Sequence, residues 1–388
     1  MKLTPLLSLI GSSTTSVVAF SFVQPTATTT HSRNELSTTS LKMSSVYMDR
    51  RKVLVAGVGG FASSLLINVP QDSSAQAATK TPFPEWTLEN NVKFPTLALN
   101  TVGLSVDETE FAIGLAVKEG FTHIDFHPGK ERDGVAKYIA SNPSKRKDLF
   151  LNTKIAKPKP GTSAAEATTL AKDQIDRDLK ALNLDSVDML MLRDSPDCDV
   201  MQAQWAVLED ALASGKTRSI GVINYCEGSL KCLLETAKVK PAINYYMLHV
   251  GMGKDAHGLR TFCEKNGIRT FAYGAVGEPG PNEEILNNPA LKKIGQNHGG
   301  KSTEEIGLRW VLQGGAACSV RPTTNFGLGT GTCSNNGECE TGLQKRGGVF
   351  NWSLTKSEMA ELDALVGPDD NPTLFSSSGC PGAFVMPK

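Results

Sequence analysis

Eight short apolar runs, each followed by a helical pattern, predict a single-domain α/β protein closed into a (β/α)8 TIM barrel. Three of the runs stop on a charged residue: GFTHID at Asp125, DLFLNTK at Lys154 and SVDMLMLR at Arg193. A charge at the last residue of a buried strand reaches the mouth of a parallel barrel, where loops, water and ligand meet. No Gly-x-Gly-x-x-Gly follows the first run, which counts against an open dinucleotide-binding sheet.

The strands are expected at 95–100, 121–125, 149–154, 187–192, 218–223, 241–246, 268–273 and 316–321. Between them, Ser105 with Glu108, Ser163 with Glu166, Ser302 with Glu305 and Thr355 with Glu358 have the spacing of a capping box at a helix start. Gly120 and Gly367 stand where a left-handed residue ends a helix. Leu170, Ile175, Leu179 and Leu182 recur at helical spacing within 163–184. The barrel is therefore expected over 78–366, with an insertion at 326–342 and a Pro-, Gly- and Ser-rich tail at 367–388 that closes over the mouth or stays disordered.

The first 77 residues have the composition of an address. Lys2, the apolar stretch to Ile10 and the small residues up to Ala19 follow the order of a secretory signal peptide. Val-Ala-Phe at the junction resembles the opening of the targeting segment of complex plastids, and 20–49 is Ser- and Thr-rich, as a transit peptide is. Arg50 and Arg51, a weakly apolar run and Ala75-Gln76-Ala77 resemble a twin-arginine signal over 50–77. The alternative is a membrane anchor, but five Gly and Ser residues between Gly57 and Ser64 make the run poorly apolar and short for a span of about 20 residues. The expected destination is the plastid, in the thylakoid lumen, with a mature chain from near Ala78 that does not span a membrane.

Lys and Arg total 40, as do Asp and Glu, and no basic cluster with interleaved aromatics occurs in the mature part, so nucleic acid is excluded as an expected partner. All eight Cys lie beyond residue 77. Cys198, Cys226, Cys232 and Cys263 sit in apolar patterns and read as buried thiols. Cys333 and Cys339 flank a polar loop and can close on each other, while Cys380 has no evident partner. None of the spacings suits a metal site.

The blocks GFTHID, LFLNTK, LDSVDMLMLR, GKTRSIGVINY, PAINYYMLH, FCEKNGIRTFAYG and LRWVLQGG, in this order between Phe94 and Val366, resemble the successive strands of the aldo-keto reductases. The resemblance implies NADPH-dependent reduction of an aldehyde or ketone by an Asp, a Tyr, a Lys and a His at the barrel mouth, because the alkoxide formed by hydride addition needs a proton donor close to its oxygen. Asp125 and Lys154 match two of the four. Lys130 or Gly129 falls in place of the tyrosine, and Arg193, a poor general acid that still polarises an oxygen, in place of the histidine.

At the cofactor positions the resemblance implies roles for Thr101, Asn224, Asn244, Tyr273, Arg321 and Thr323, with Ile223 replacing the usual Ser and Tyr245 the usual Gln. Convergence of Lys130, Lys154 and Arg193 around Asp125 would leave about two excess positive charges, favouring a small anionic carbonyl substrate, and Lys130 would donate the proton. His127 offers an imidazole in the same loop, as a replacement acid or a plain loop residue. The alternative to a reductase is a catalytically inactive barrel that binds a ligand or serves assembly in the plastid.

Overall fold

The computed structural model describes residues 83–195, 197–275, 283–323, 333 and 337–366. The expected presequence, the tail with Gly367 and Cys380, and most of the insertion lie outside these residues.

Two short strands, β1 (Glu85–Thr87) and β2 (Lys93–Pro95), pair antiparallel. Eight more follow: β3 (Leu97–Asn100), β4 (His123–Asp125), β5 (Phe150–Ile155), β6 (Val187–Arg193), β7 (Thr217–Ile223), β8 (Ile243–Met247), β9 (Arg269–Tyr273) and β10 (Ala317–Val320). They form a closed barrel in chain order, β10 pairing with both β9 and β3. Every neighbouring pair is parallel, which the intervening helices require. All eight expected strands are present, the second trimmed to three residues.

The helices are α1 (Val106–Lys118), α2 (Lys130–Ser141), α3 (Ala164–Leu182), α4 (Cys198–Ala213), α5 (Glu227–Leu234), α6 (Leu259–Lys265), α7 (Glu283–Asn287), α8 (Pro289–Asn297), α9 (Thr303–Gln313), α10 (Glu338–Gly347) and α11 (Lys356–Asp363). Complete capping boxes start α1, α9 and α11 at Ser105, Ser302 and Thr355, and Ser163 caps α3 by accepting from the Glu166 amide. Gly120 takes φ +93° just past α1, a conformation that costs glycine little, and turns the chain into β4.

Strand alternation sorts the core into two shells. Leu190, Leu192, Val222 and Tyr246 belong to the large cluster between strands and helices. Met189, Met191, Ile223, Ile243, Tyr245, Phe271 and Ala317 fill the barrel interior with Phe94 from the β1–β2 hairpin. Phe94 plugs the N-terminal end of the barrel, its ring centroid 4.8 Å from that of His123, 5.2 Å from Phe150 and 5.3 Å from Phe271. With that end closed by aromatic rings, polar inward-facing residues collect at the other.

Two disulfides are formed, Cys198–Cys232 and Cys333–Cys339. The second matches the expectation and the first corrects it: α4 and α5 pack side by side, so two cysteines placed in separate apolar patterns meet. Cys226 and Cys263 are buried thiols, as expected. Among the described residues no helix is long and apolar enough to cross a membrane, and no cluster of metal-ligating side chains occurs.

Candidate active site

The last inward positions of β4 and β5 are Asp125 and Lys154, both fully buried and joined as an ion pair. Asp125 Oδ1 accepts from Lys154 Nζ and from Asn152 Nδ2 at 3.0 Å. Its Oδ2 accepts from the Tyr245 hydroxyl at 2.8 Å and from Ser319 Oγ at 2.7 Å. Lys154 Nζ also donates to the carbonyl of Phe126 at 3.2 Å. Burial works to raise the Asp125 pKa, but Lys154, His127 and these hydrogen bonds outweigh it and hold the carboxyl below its usual range. Burial pulls Lys154 below the ordinary ammonium range against the opposing pull of Asp125.

Tyr245, which sequence reading gave no role, sits two residues beyond Ile243 and so faces inward with it. Its ring stacks on Phe271 with centroids 4.5 Å apart and lies 5.4 Å from Lys154 Nζ, and its hydroxyl also accepts from Asn100 Nδ2 at 3.1 Å. Burial first, and then the Asp125 charge, push this phenol well above its usual pKa, so it stays protonated as a donor to Asp125.

Arg193 ends β6 on the same inward face and interacts electrostatically with Lys154 and His127, which puts the three expected strand ends at one mouth. Among the described residues Arg193 has no ion pair; the next residue, Asp194, faces Lys157 at 3.3 Å. Lys130 is not part of this set. It is the exposed first residue of α2, and His127 is the member of that loop that interacts with Lys154, Arg193 and Asp125. The expected surplus of two positive charges changes accordingly, because Lys130 stays outside and Glu131 brings in a buried carboxylate bound to His127 at 3.0 Å.

Among the cofactor positions, Tyr273 ends β9 partly buried and donates to Asn224 Oδ1 at 2.8 Å. Asn224 follows β7 at φ +62°, a left-handed turn that asparagine tolerates better than most residues. Arg321 and Thr323 follow β10, partly buried. Asn244 is a correction: it shares the outward parity of Tyr246, donates to the Tyr225 carbonyl at 2.7 Å and contacts Cys263 Sγ at 3.7 Å, so its amide stands between strand and helix. Thr101 donates to Glu131 Oε2 at 3.0 Å and is fully buried. A groove of about 830 Å³ opens at the opposite end of the barrel beside Asn90, Arg260 and Arg269, remote from Asp125 and Lys154.

The chain thus sets a buried Asp–Lys pair at the C-terminal ends of adjacent strands of a (β/α)8 barrel. Residues 96–366 match the model of the aldo/keto reductase family, and the chain belongs to that family. It is 28% identical over 295 residues to a glyoxal reductase of Bacillus subtilis, covering 74% of this chain and 96% of that protein. It is 31% identical over 256 residues to an aldo-keto reductase of Mycobacterium tuberculosis, covering 64% and 83%. An aldo/keto reductase structure from Brucella melitensis superposes with a TM-score of 0.61 at 26% identity, covering 73% and 99%. The Bombyx mori aldo-keto reductase in complex with NADP has the same fold, with a TM-score of 0.60 at 23% identity over 75% of this chain and 97% of that one.

Proposed function

We propose that this protein is an NADPH-dependent reductase of a small anionic aldehyde or ketone. The observation that carries the reading is the Asp125–Lys154 pair, fully enclosed, with every carboxylate oxygen engaged and, at the same rim, the Arg193 guanidinium, which has no ion pair among the described residues. Such a pair is expensive to bury and adds little to stability compared with apolar side chains of the same volume, so its presence favours a chemical role.

The residues at the mouth fit the ring end of a nicotinamide dinucleotide. Tyr273 presents a partly buried ring for stacking, Asn224 an amide, and Arg321 a cation after β10 for a phosphate. Bound there, the cofactor supplies the hydride. Arg193 seats a carboxylate of the substrate by paired N–H donors and so turns its carbonyl toward the pair. The Lys154 ammonium and the Arg193 guanidinium stabilise negative charge developing on the carbonyl oxygen in a site of reduced dielectric.

One observation favours the alternative, a barrel that binds a ligand without turnover. Tyr245 stands in the place of the family's glutamine and spends its hydroxyl on Asp125, while Ile223 stands in the place of the serine. Titrating the protein with NADPH and following its fluorescence separates the two: saturable quenching with later oxidation of the bound cofactor by glyoxylate supports the reductase, and quenching without oxidation supports the binding barrel.

The targeting segments support a plastid location in the thylakoid lumen, and two disulfides agree with an oxidising compartment. A fusion of residues 1–77 to a fluorescent reporter that stays in the cytosol would remove that assignment.

A further inference from the structure

Glu131 lies in the first turn of α2 and is buried, yet it pairs with no lysine or arginine among the described residues. Instead it collects donors from the mouth loops: Thr101 Oγ1 at 3.0 Å, the Gly103 amide at 3.1 Å, the His127 amide at 2.9 Å and His127 Nδ1 at 3.0 Å. Burial acts to raise its pKa, but the His127 hydrogen bond and charge outweigh that, and the carboxyl is held below its ordinary range. An ionised carboxylate so bound fixes the ring opposite it. The tautomer with hydrogen on Nδ1 is selected, and Nε2 carries no hydrogen bond among the described residues.

We infer that His127, oriented by Glu131, is the proton-transfer residue of this site, with Nε2 delivering the proton to the carbonyl oxygen. The inference rests on the reductase reading and names the acid that reading requires. The other candidates are disqualified by where they lie. The Tyr245 hydroxyl is buried beneath the pair and committed to Asp125, Arg193 stays protonated, and Lys130 is exposed on α2. In the step, the carbonyl π bond breaks and the oxygen takes the Nε2 proton of the His127 imidazolium, leaving the ring neutral with its hydrogen on Nδ1 toward Glu131. The carbon takes the electron pair and hydrogen supplied by a reduced nicotinamide, which is oxidised, and neutral imidazole then recovers a proton from water.

The charged groups facing the ring are Glu131 from α2, Asp125 from β4, Lys154 from β5 and Arg193 from β6. Burial and the two cations outweigh Glu131 and hold the imidazole pKa below its ordinary value. Reduction is therefore expected to quicken as pH falls through that depressed value, and alcohol oxidation to quicken as pH rises through it.

The test uses the full chain, NADPH and glyoxylate, with His127→Gln and Glu131→Gln variants. NMR of nitrogen-labelled histidine, read without cofactor, is expected to show the His127 titration falling by about one pH unit in Glu131→Gln, because an anionic partner is lost. His127→Gln is expected to keep NADPH binding, lose about 100-fold or more in kcat and lose the acid-promoted limb of the rate profile. Turnover of His127→Gln within threefold of the parent, or an unchanged titration in Glu131→Gln, overturns the inference and leaves the reductase reading standing. A parent protein that does not bind NADPH removes the reductase reading and this inference with it.

Discussion

Asp188, near the closed end of the barrel, and Asp125, at its mouth, are both buried aspartates, and their counter-charges differ in kind. Asp188 is met by Arg146 at 3.0 Å and Arg218 at 2.8 Å, whose side chains are 21% and 54% exposed, and by the Leu151 amide at 2.9 Å. Both guanidiniums keep contact with water, Arg218 far more than Arg146, so the cluster resembles a surface ion pair with one buried partner. Asp125 is met by an ammonium that is itself wholly enclosed, and neither charge has recourse to water. A barrel needs only the first arrangement to satisfy a strand-end carboxylate. The second lies at the C-terminal ends of β4 and β5, and under the proposed function that difference separates a structural ion cluster from a chemical one.

Replacing cations at the two ends tests that contrast. Lys154→Met leaves Asp125 charged and unpaired in the interior, and is expected to cost about 3–5 kcal/mol in denaturant unfolding and to abolish carbonyl reduction. A loss below about 1 kcal/mol would place Asp125 in a wetter setting than described.

His123 gives the next largest effect. It lies in the aromatic plug and interacts with both Asp125 and Asp188. Burial, opposed by the hydrogen bond that its ring donates to the Pro95 carbonyl, lowers its pKa from 6.5 to about 4. Between those values the unfolded chain binds the proton and the folded chain does not, so stability falls as pH drops from 6.5 towards 4, by about 3 kcal/mol in all. In His123→Phe this part of the pH dependence is expected to vanish; an unchanged profile would assign it to other groups.

Tyr245→Phe removes one of four donors to Asp125 and should lower stability by about 1–2 kcal/mol, read as a shift in the unfolding midpoint. A gain in activity alongside that loss would show the phenol crowding the cofactor. The smallest effect is expected for Arg218→Gln, below about 1 kcal/mol, because Arg146 and the Leu151 amide still hold Asp188.

The barrel frame was legible because it depends on local rules: apolar runs, capping serines and helix-ending glycines act within a few residues of chain. The meeting of Asp125, Lys154 and Arg193 was legible for a related reason, since strand ends of a parallel barrel share one face. Asn244 was given a place at the mouth, and Tyr245 beside it was given no role. A match of residue types along the chain put the amide of Asn244 at the mouth, whereas parity counted from Ile243 turns Tyr245 inward and Asn244 outward. The Cys198–Cys232 bond and the grip of Glu131 on His127 depend on packing between elements. The cysteines are 34 residues apart, and the carboxylate begins a helix whose entry loop does not follow the family pattern. No period in the sequence reports either.

The proposed reaction at this mouth is hydride transfer to an anionic carbonyl compound. NADPH deuterated at the transferring carbon, incubated with the protein and glyoxylate, tests it by mass spectrometry of the product. Glycolate carrying one deuterium on carbon is expected with the parent protein, and none with Lys154→Met. Unlabelled glyoxylate recovered unchanged while the protein is saturated with NADPH would contradict it.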